Sequence, residues 1–141
     1  MKALVDTNVV LDVILQRSPF YQNSFAIFQL ADQGHISACL SATTMTTIFY
    51  VLRKARNNAD ETYRMMNELT DLFSVALVSE KTIADALALR WKDFEDAVQY
   101  ITASENSADY IVTRNTQDFS SGHIPAVTPE QFIRIIADIE Q

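Results

Sequence analysis

Glycine and proline are scarce in this chain, two and three among 141 residues. That scarcity excludes flexible Gly- or Pro-rich linkers and low-complexity spacers. A single cysteine, Cys39, excludes an internal disulfide, and its setting in "ISACL" reads as a buried structural thiol. No window reaches about 18 consecutive apolar residues, so a membrane span is not expected. The opening "MKALVDTN" lacks the charged, apolar and small-residue order of a secretory signal, which makes the cytoplasm the expected compartment. Basic side chains are in the minority, 11 against 18 acidic, for a net charge of −7. This balance excludes a protein that coats nucleic acid through a general basic surface. Local contacts remain open, and an acidic body suits a basic protein partner. The His and Cys clusters of structural zinc are missing too, and the two histidines, His35 and His123, fall in expected loops.

What is present is apolar sequence in short, regular doses. Hydrophobic residues make up 48% of the chain, enough for one continuous core, and the length suits one domain over 1–141. "KALV" at 2–5, "ISACL" at 36–40, "SVALV" at 74–78 and "DYIVT" at 109–113 read as strands. They lack a period-two alternation, as expected of strands buried on both faces. Between them lie helical patterns: one with Val9, Val10, Val13 and Ile14 on it, one ending at Gly34, and one over 42–55 capped by Ser41. Further helices are expected over "NNADETYRMMNELTDLF", over 80–91 and 94–107, and from 129 behind the Thr128-Pro129 start signal. Alternating strands and helices predict an α/β fold, a three-layer α/β/α sandwich around a mostly parallel sheet.

In an open parallel sheet, functional groups collect beyond the carboxyl ends of the strands. Asp6 stands at such an end, and Asn115 and Asp118 follow another. Asp93, Glu95 and Asp96 begin a helix that leads straight into that second strand. Each has a plain structural use: Asp6 as a helix N-cap, the acids of 93–96 as partners of a helix N-terminal dipole, Asp118 as a turn residue. Together, acids at three such ends would repel one another in a dry cleft, and proton uptake or a divalent cation would relieve them. Oxygen-only ligands point to a hard ion such as Mg²⁺ or Mn²⁺.

Four stretches, "LVDTNVVLD" at 4–12, "SATTMTTIFYVLRK" at 41–54, "DFEDAVQYITA" at 93–103 and "YIVTRNTQDF" at 110–119, resemble the PIN domain. This is the metal-dependent nuclease fold of VapC-type toxins in bacterial toxin–antitoxin pairs. The resemblance covers essentially the whole chain. It implies a carboxylate site holding one or two Mg²⁺ or Mn²⁺ ions, and hydrolysis of RNA phosphodiester bonds. It assigns Asp6, Asp96 and Asp118 as catalytic metal ligands and gives Asn8, Thr113 and Asn115 supporting places. Asp12 matches a recurrent acid of the first motif. It also implies an antitoxin partner, whose basic segment would reach the acidic site, and a homodimer. Two divalent ions would more than balance three aspartates, which explains how an acidic protein could accept a phosphate.

One position departs from the family pattern. Thr47 occupies the place of a usual glutamate, and a neutral, shorter hydroxyl cannot replace the charge, which predicts weaker retention of a second ion. The alternative reading is a PIN-like module that binds RNA or protein without cutting. An aspartate-nucleophile phosphatase also carries Asp after its first strand, but repeats an acid two residues on, where this chain has Asn8. For RNA, Arg114 and Lys54 are the expected basic contacts, although cations at a helix end also suit the helix dipole.

Overall fold

The computed structural model describes residues 1–141. Five strands form one sheet: β1 (Lys2–Val5), β2 (Ser37–Ser41), β3 (Ser74–Ala76), β4 (Tyr110–Val112) and β5 (Ala126–Val127). Their order is β3-β2-β1-β4-β5, and every neighbouring pair is parallel. The seven α-helices are α1 (Thr7–Ile14), α2 (Tyr21–Asp32), α3 (Ala42–Ala55), α4 (Ala59–Leu72), α5 (Glu80–Leu89), α6 (Phe94–Glu105) and α7 (Pro129–Ile139). A 3₁₀ turn, Thr116–Phe119, follows β4.

The strands bury side chains on both faces, which is why they read as unbroken apolar runs. Ala3, Val5, Leu40 and Val112 join one core with Val9 and Val10 of α1, Ile27 of α2, Ile48 and Leu52 of α3, Leu69 of α4 and Phe132 of α7. Leu4, Cys39 and Ile111, one residue out of step, join Tyr100 and Ala103 of α6 and Phe119 on the other face. α5 packs on α6 through Ala86, Ala97 and Val98. The expected three layers are therefore present, with a wholly parallel sheet.

Local signals set several boundaries. Ser41 Oγ accepts from Thr43 N at 3.3 Å and starts α3 where expected, and Thr128 with Gln131 forms a capping box before Pro129. The strand expected over 74–78 ends at Ala76, and the helix expected over 80–91 ends at Leu89. β5 was not expected, since two residues carry no periodicity to read.

Chain order makes the functional region. From β1 the chain moves outward through β2 and β3, then returns to the other side of β1 for β4 and β5. The order reverses between β1 and its two neighbours, and this switch point leaves a crevice at the carboxyl ends. The loop after the 3₁₀ turn is pinned on α6 at Gly122, where an added Cβ would lie 2.2 Å from Tyr100 Cε1. Tyr100 cannot easily yield, because it packs on Trp91 at 5.0 Å between ring centroids and its hydroxyl accepts from His123 N at 3.0 Å. Gly122→Ala is expected to cost about 1–3 kcal/mol, measurable as a lowered urea midpoint. An unchanged midpoint would mean that the loop moves away freely.

Candidate functional site

Asp6 directly follows β1, beside the end of β4, and is 4% exposed. It occupies the N-cap position of α1, but its side chain makes no capping bond. Instead Oδ1 accepts from Gln99 Nε2 at 2.9 Å and Oδ2 from Thr113 Oγ1 at 2.7 Å. The expected cap role is thus overturned: two buried donors from α6 and the end of β4 take both oxygens away from the helix backbone. These bonds fix the carboxylate's orientation. Thr113, 0% exposed, also accepts from Asn115 N at 3.0 Å, so one hydroxyl ties Asp6 to the loop that carries Asn115 and Asp118.

At the start of α6 the three acids divide their work. Asp93 caps the helix, accepting from Asp96 N at 3.0 Å. Asp96 lies one turn before Gln99 on the same helix, and so on the side that meets Asp6. Its carboxyl is pushed up to about 7, by burial first and then by Asp93, Asp6, Asp118 and Glu95. Glu95 is raised too, chiefly by burial and also by Asp6 and Asp93, against a lowering hydrogen bond from Thr7. Asp93, Asp96, Gln117 and Asp118 line one open cleft of about 840 Å³ together with Arg90 and Trp91. Asp118 is exposed there, in the first turn of the 3₁₀ segment.

As these side chains stand, no three of them converge on one point fit to hold an ion. Two observations nonetheless suit a hard divalent cation. The donor set is entirely carboxylate, amide and hydroxyl oxygen, and burial together with four neighbouring carboxylates pushes the Asp96 carboxyl up. Gln99 Oε1, on a side chain 1% exposed and bonded to Asp6, is buried without a partner. Glu95 and Asp118 are the exposed members of the donor set.

The remaining expected residues fall differently. Asn8 is half-buried in the first turn of α1, one residue from Asp6's neighbour Thr7. Thr47 does not stand open to a ligand through its proton, because Oγ1 donates to Thr43 O at 3.2 Å within α3. Lys54 lies over the Tyr50 ring at 4.8 Å in the last turn of α3. Ten residues separate it from Thr44 at the site end, which is about 15 Å along a helix. It is not brought to the carboxylates. Arg114 pairs with Asp12, its Nε 2.7 Å from Oδ2, and lies over the Phe20 ring at 4.2 Å. Its charge is therefore committed inside the fold.

Sequence reasoning missed Gln99, Thr7 and Thr44. Gln99 was findable, since it stands three residues after Asp96 and shares its helix face. Thr7 and Thr44 carried no signal of their own, because their contact exists only once α1 and α3 are packed together.

A sequence model of the PIN domain matches residues 2–117. Ribonuclease VapC1 of Aquifex aeolicus (strain VF5) is 24% identical over 136 residues, spanning 93% of this chain and 92% of that protein. Among solved structures, a toxin–antitoxin complex from Klebsiella pneumoniae has a chain with TM-score 0.67 and 24% identity, over 90% of this chain and 97% of that one. VapBC2 from Rickettsia felis, bound to a DNA fragment from its promoter, gives TM-score 0.68 at 16% identity, over 91% and 98%. The structural likenesses speak for the fold, and the sequence match spans the strands and helices that build the crevice. The chain belongs to the PIN domain family.

Proposed function

We propose that residues 1–141 form a single PIN-like domain that hydrolyses RNA phosphodiester bonds with Mg²⁺ or Mn²⁺, as the toxin of a toxin–antitoxin pair. The reading is carried by one observation: Asp6, at the switch point of the sheet, and Asp118 both lie near enough to Asp96 to add to the burial that pushes its carboxyl up, and Asp96 and Asp118 line the same cleft. The relative named as a ribonuclease supports the reaction, and the toxin–antitoxin complexes among the structural neighbours support the partner.

Asp6, Asp96 and Asp118 would hold the ion. When bound, it supplies Lewis acidity that activates water and polarises the phosphate. The chain's own work is orientation. Gln99 and Thr113 lock Asp6, and Thr113 also sets the loop of Asn115 and Asp118. A basic antitoxin segment fits the acidic cleft by charge, and a homodimer accompanies this reading as an expectation from the family.

The purified protein is expected to cut single-stranded RNA with Mn²⁺ and to stop when EDTA is added. Asp6→Asn, prepared in parallel, is expected to lose the activity. Equal cleavage by that variant would assign the activity to a contaminant and reject the site. Thr47 favours a second reading, a module that binds RNA or protein without cutting. RNA binding by wild-type protein that never cleaves, at any Mn²⁺ concentration, would establish it.

A further inference from the structure

A separate cavity of about 310 Å³ lies beyond the carboxyl ends of β4 and β5, where α2 and α7 begin. Arg114, two residues after β4, forms one wall and lies over the Phe20 ring at 4.2 Å. Pro19 and Pro129 add rigid apolar surface, and the exposed Asn23 brings an amide. Ser24 completes the lining from α2. It is 0% exposed, and its hydroxyl has no hydrogen-bond partner. A buried hydroxyl left unpaired is costly, and here the residue that carries it borders an open space.

The charges around this cavity cancel. Arg114 Nε pairs with Asp12 Oδ2 at 2.7 Å, and Glu130 on the lining pairs with Arg134 at 2.6 Å. The start of α7 offers little to an anion: Pro129 has no N–H, and Gln131 N already donates to Thr128 Oγ1 at 3.2 Å. A phosphate would meet a neutral site with a carboxylate at its edge. An uncharged, flat group with a polar rim fits better. The guanidinium plane gives it a stacking surface, and the Asn23 amide and Ser24 hydroxyl give it donors and acceptors. Unpaired RNA bases are recognised by this combination of a planar support and hydrogen bonds to the base edge. Position agrees with chemistry. Arg114 stands in the chain between Thr113, which holds Asp6, and Asn115.

We infer that this cavity takes one unpaired nucleobase of the RNA, beside the carboxylate site, with Asn23 and Ser24 reading its edge. The inference rests on the proposed ribonuclease reading and deepens it by giving the substrate's base a place. The charge of Arg114 stays with Asp12, and only the face of its guanidinium is used. Two tasks are then divided: the acids act on the phosphate, and a neutral cavity selects the base.

Nuclear magnetic resonance titration of the whole, metal-stripped chain in EDTA tests this without reference to cleavage. The probes are the four ribonucleosides, one at a time, and inorganic phosphate. At least one nucleoside is expected to give saturable shifts at the Asn23 and Arg114 side chains, and phosphate none. Asn23→Ala and Ser24→Ala are each expected to weaken that binding by about fivefold. Ser24→Ala should keep or raise the urea midpoint of the free protein, because its hydroxyl has no partner to lose. Shifts at these residues from phosphate alone would overturn the inference in favour of an anion site. Silence with all four nucleosides, or unchanged affinity in both variants, would overturn it outright. Either result leaves Mn²⁺-dependent cleavage as it was. Nucleoside binding here by a protein that never cuts RNA would support the cavity and reject the ribonuclease reading.

Discussion

Replacing Asp96 with asparagine is expected to cut Mn²⁺-dependent RNA cleavage by at least about 100-fold while making the metal-free fold more stable at pH 8. Both effects come from one carboxyl group. In the unfolded chain it ionises near its ordinary value of 3.8, whereas in the fold it holds its proton up to about 7. Burial is the first cause, and Asp93, Asp6, Asp118 and Glu95 add repulsion. Between these two pH values the folded state binds more protons, so stability falls as pH rises from about 4 to about 7. Above pH 7 the penalty is present in full. Taken at face value the shift corresponds to about 4 kcal/mol, and because Asp96 is partly exposed, solvent screening brings it down to about 1–2 kcal/mol. Asparagine removes the charge and the penalty together. Urea unfolding in EDTA should show wild type losing more stability from pH 5 to pH 8 than Asp96→Asn, which keeps only the slope of the other raised acids, Glu95 and Asp12. A wild type that gains stability over that interval relative to Asp96→Asn would show that burial and its neighbours do not raise the Asp96 carboxyl.

The second large effect concerns stability alone. Asp12 is 0% exposed and depends on Arg114 at 2.7 Å and Arg17 at 3.7 Å. The pairing is one of charge more than of angle, since neither Asp12 oxygen nor Arg114 Nε completes a well-aligned hydrogen bond. Burial pushes the Asp12 carboxyl up, and the two arginines oppose this. Arg114→Met would keep much of the packing on Phe20 but strand the carboxylate. A loss of about 3 kcal/mol or more is expected. Asp12→Leu combined with Arg114→Met should recover most of it, because the buried charge is then gone. Chemical denaturation of the single and double variants measures both. If Arg114→Met left stability intact and only weakened RNA binding, Arg114 would return to the role of RNA contact that its sequence position suggested.

The pairing of Arg114 with Asp12 illustrates what the sequence could and could not convey. Apolar runs at 2–5 and 109–113 were readable because buried parallel strands need no partner to declare themselves. The Ser41 and Thr128 starts were readable because a cap is a local hydrogen bond. Asp6, Asp96 and Asp118 were legible as acids at element ends, and Asp96 and Asp118 line one cleft. The partners of Asp6 were not legible, since Gln99 and Thr113 lie 93 and 107 residues away. Nor was the fate of the cations. Arg114 meets Asp12 only across the folded site, and the length of α3 carries Lys54 away from it. Residue type named the candidates, and tertiary distance decided among them.

The central claim is that these carboxylates form a divalent-metal centre, and diffraction from a Mn²⁺-soaked crystal at the manganese absorption edge tests it most directly. The account predicts an anomalous peak in the crevice, bound by Asp6, Asp96 and Asp118. Full occupancy of Mn²⁺ elsewhere on the protein, with Asp6 still held only by Gln99 and Thr113 and no peak in the crevice, would contradict it.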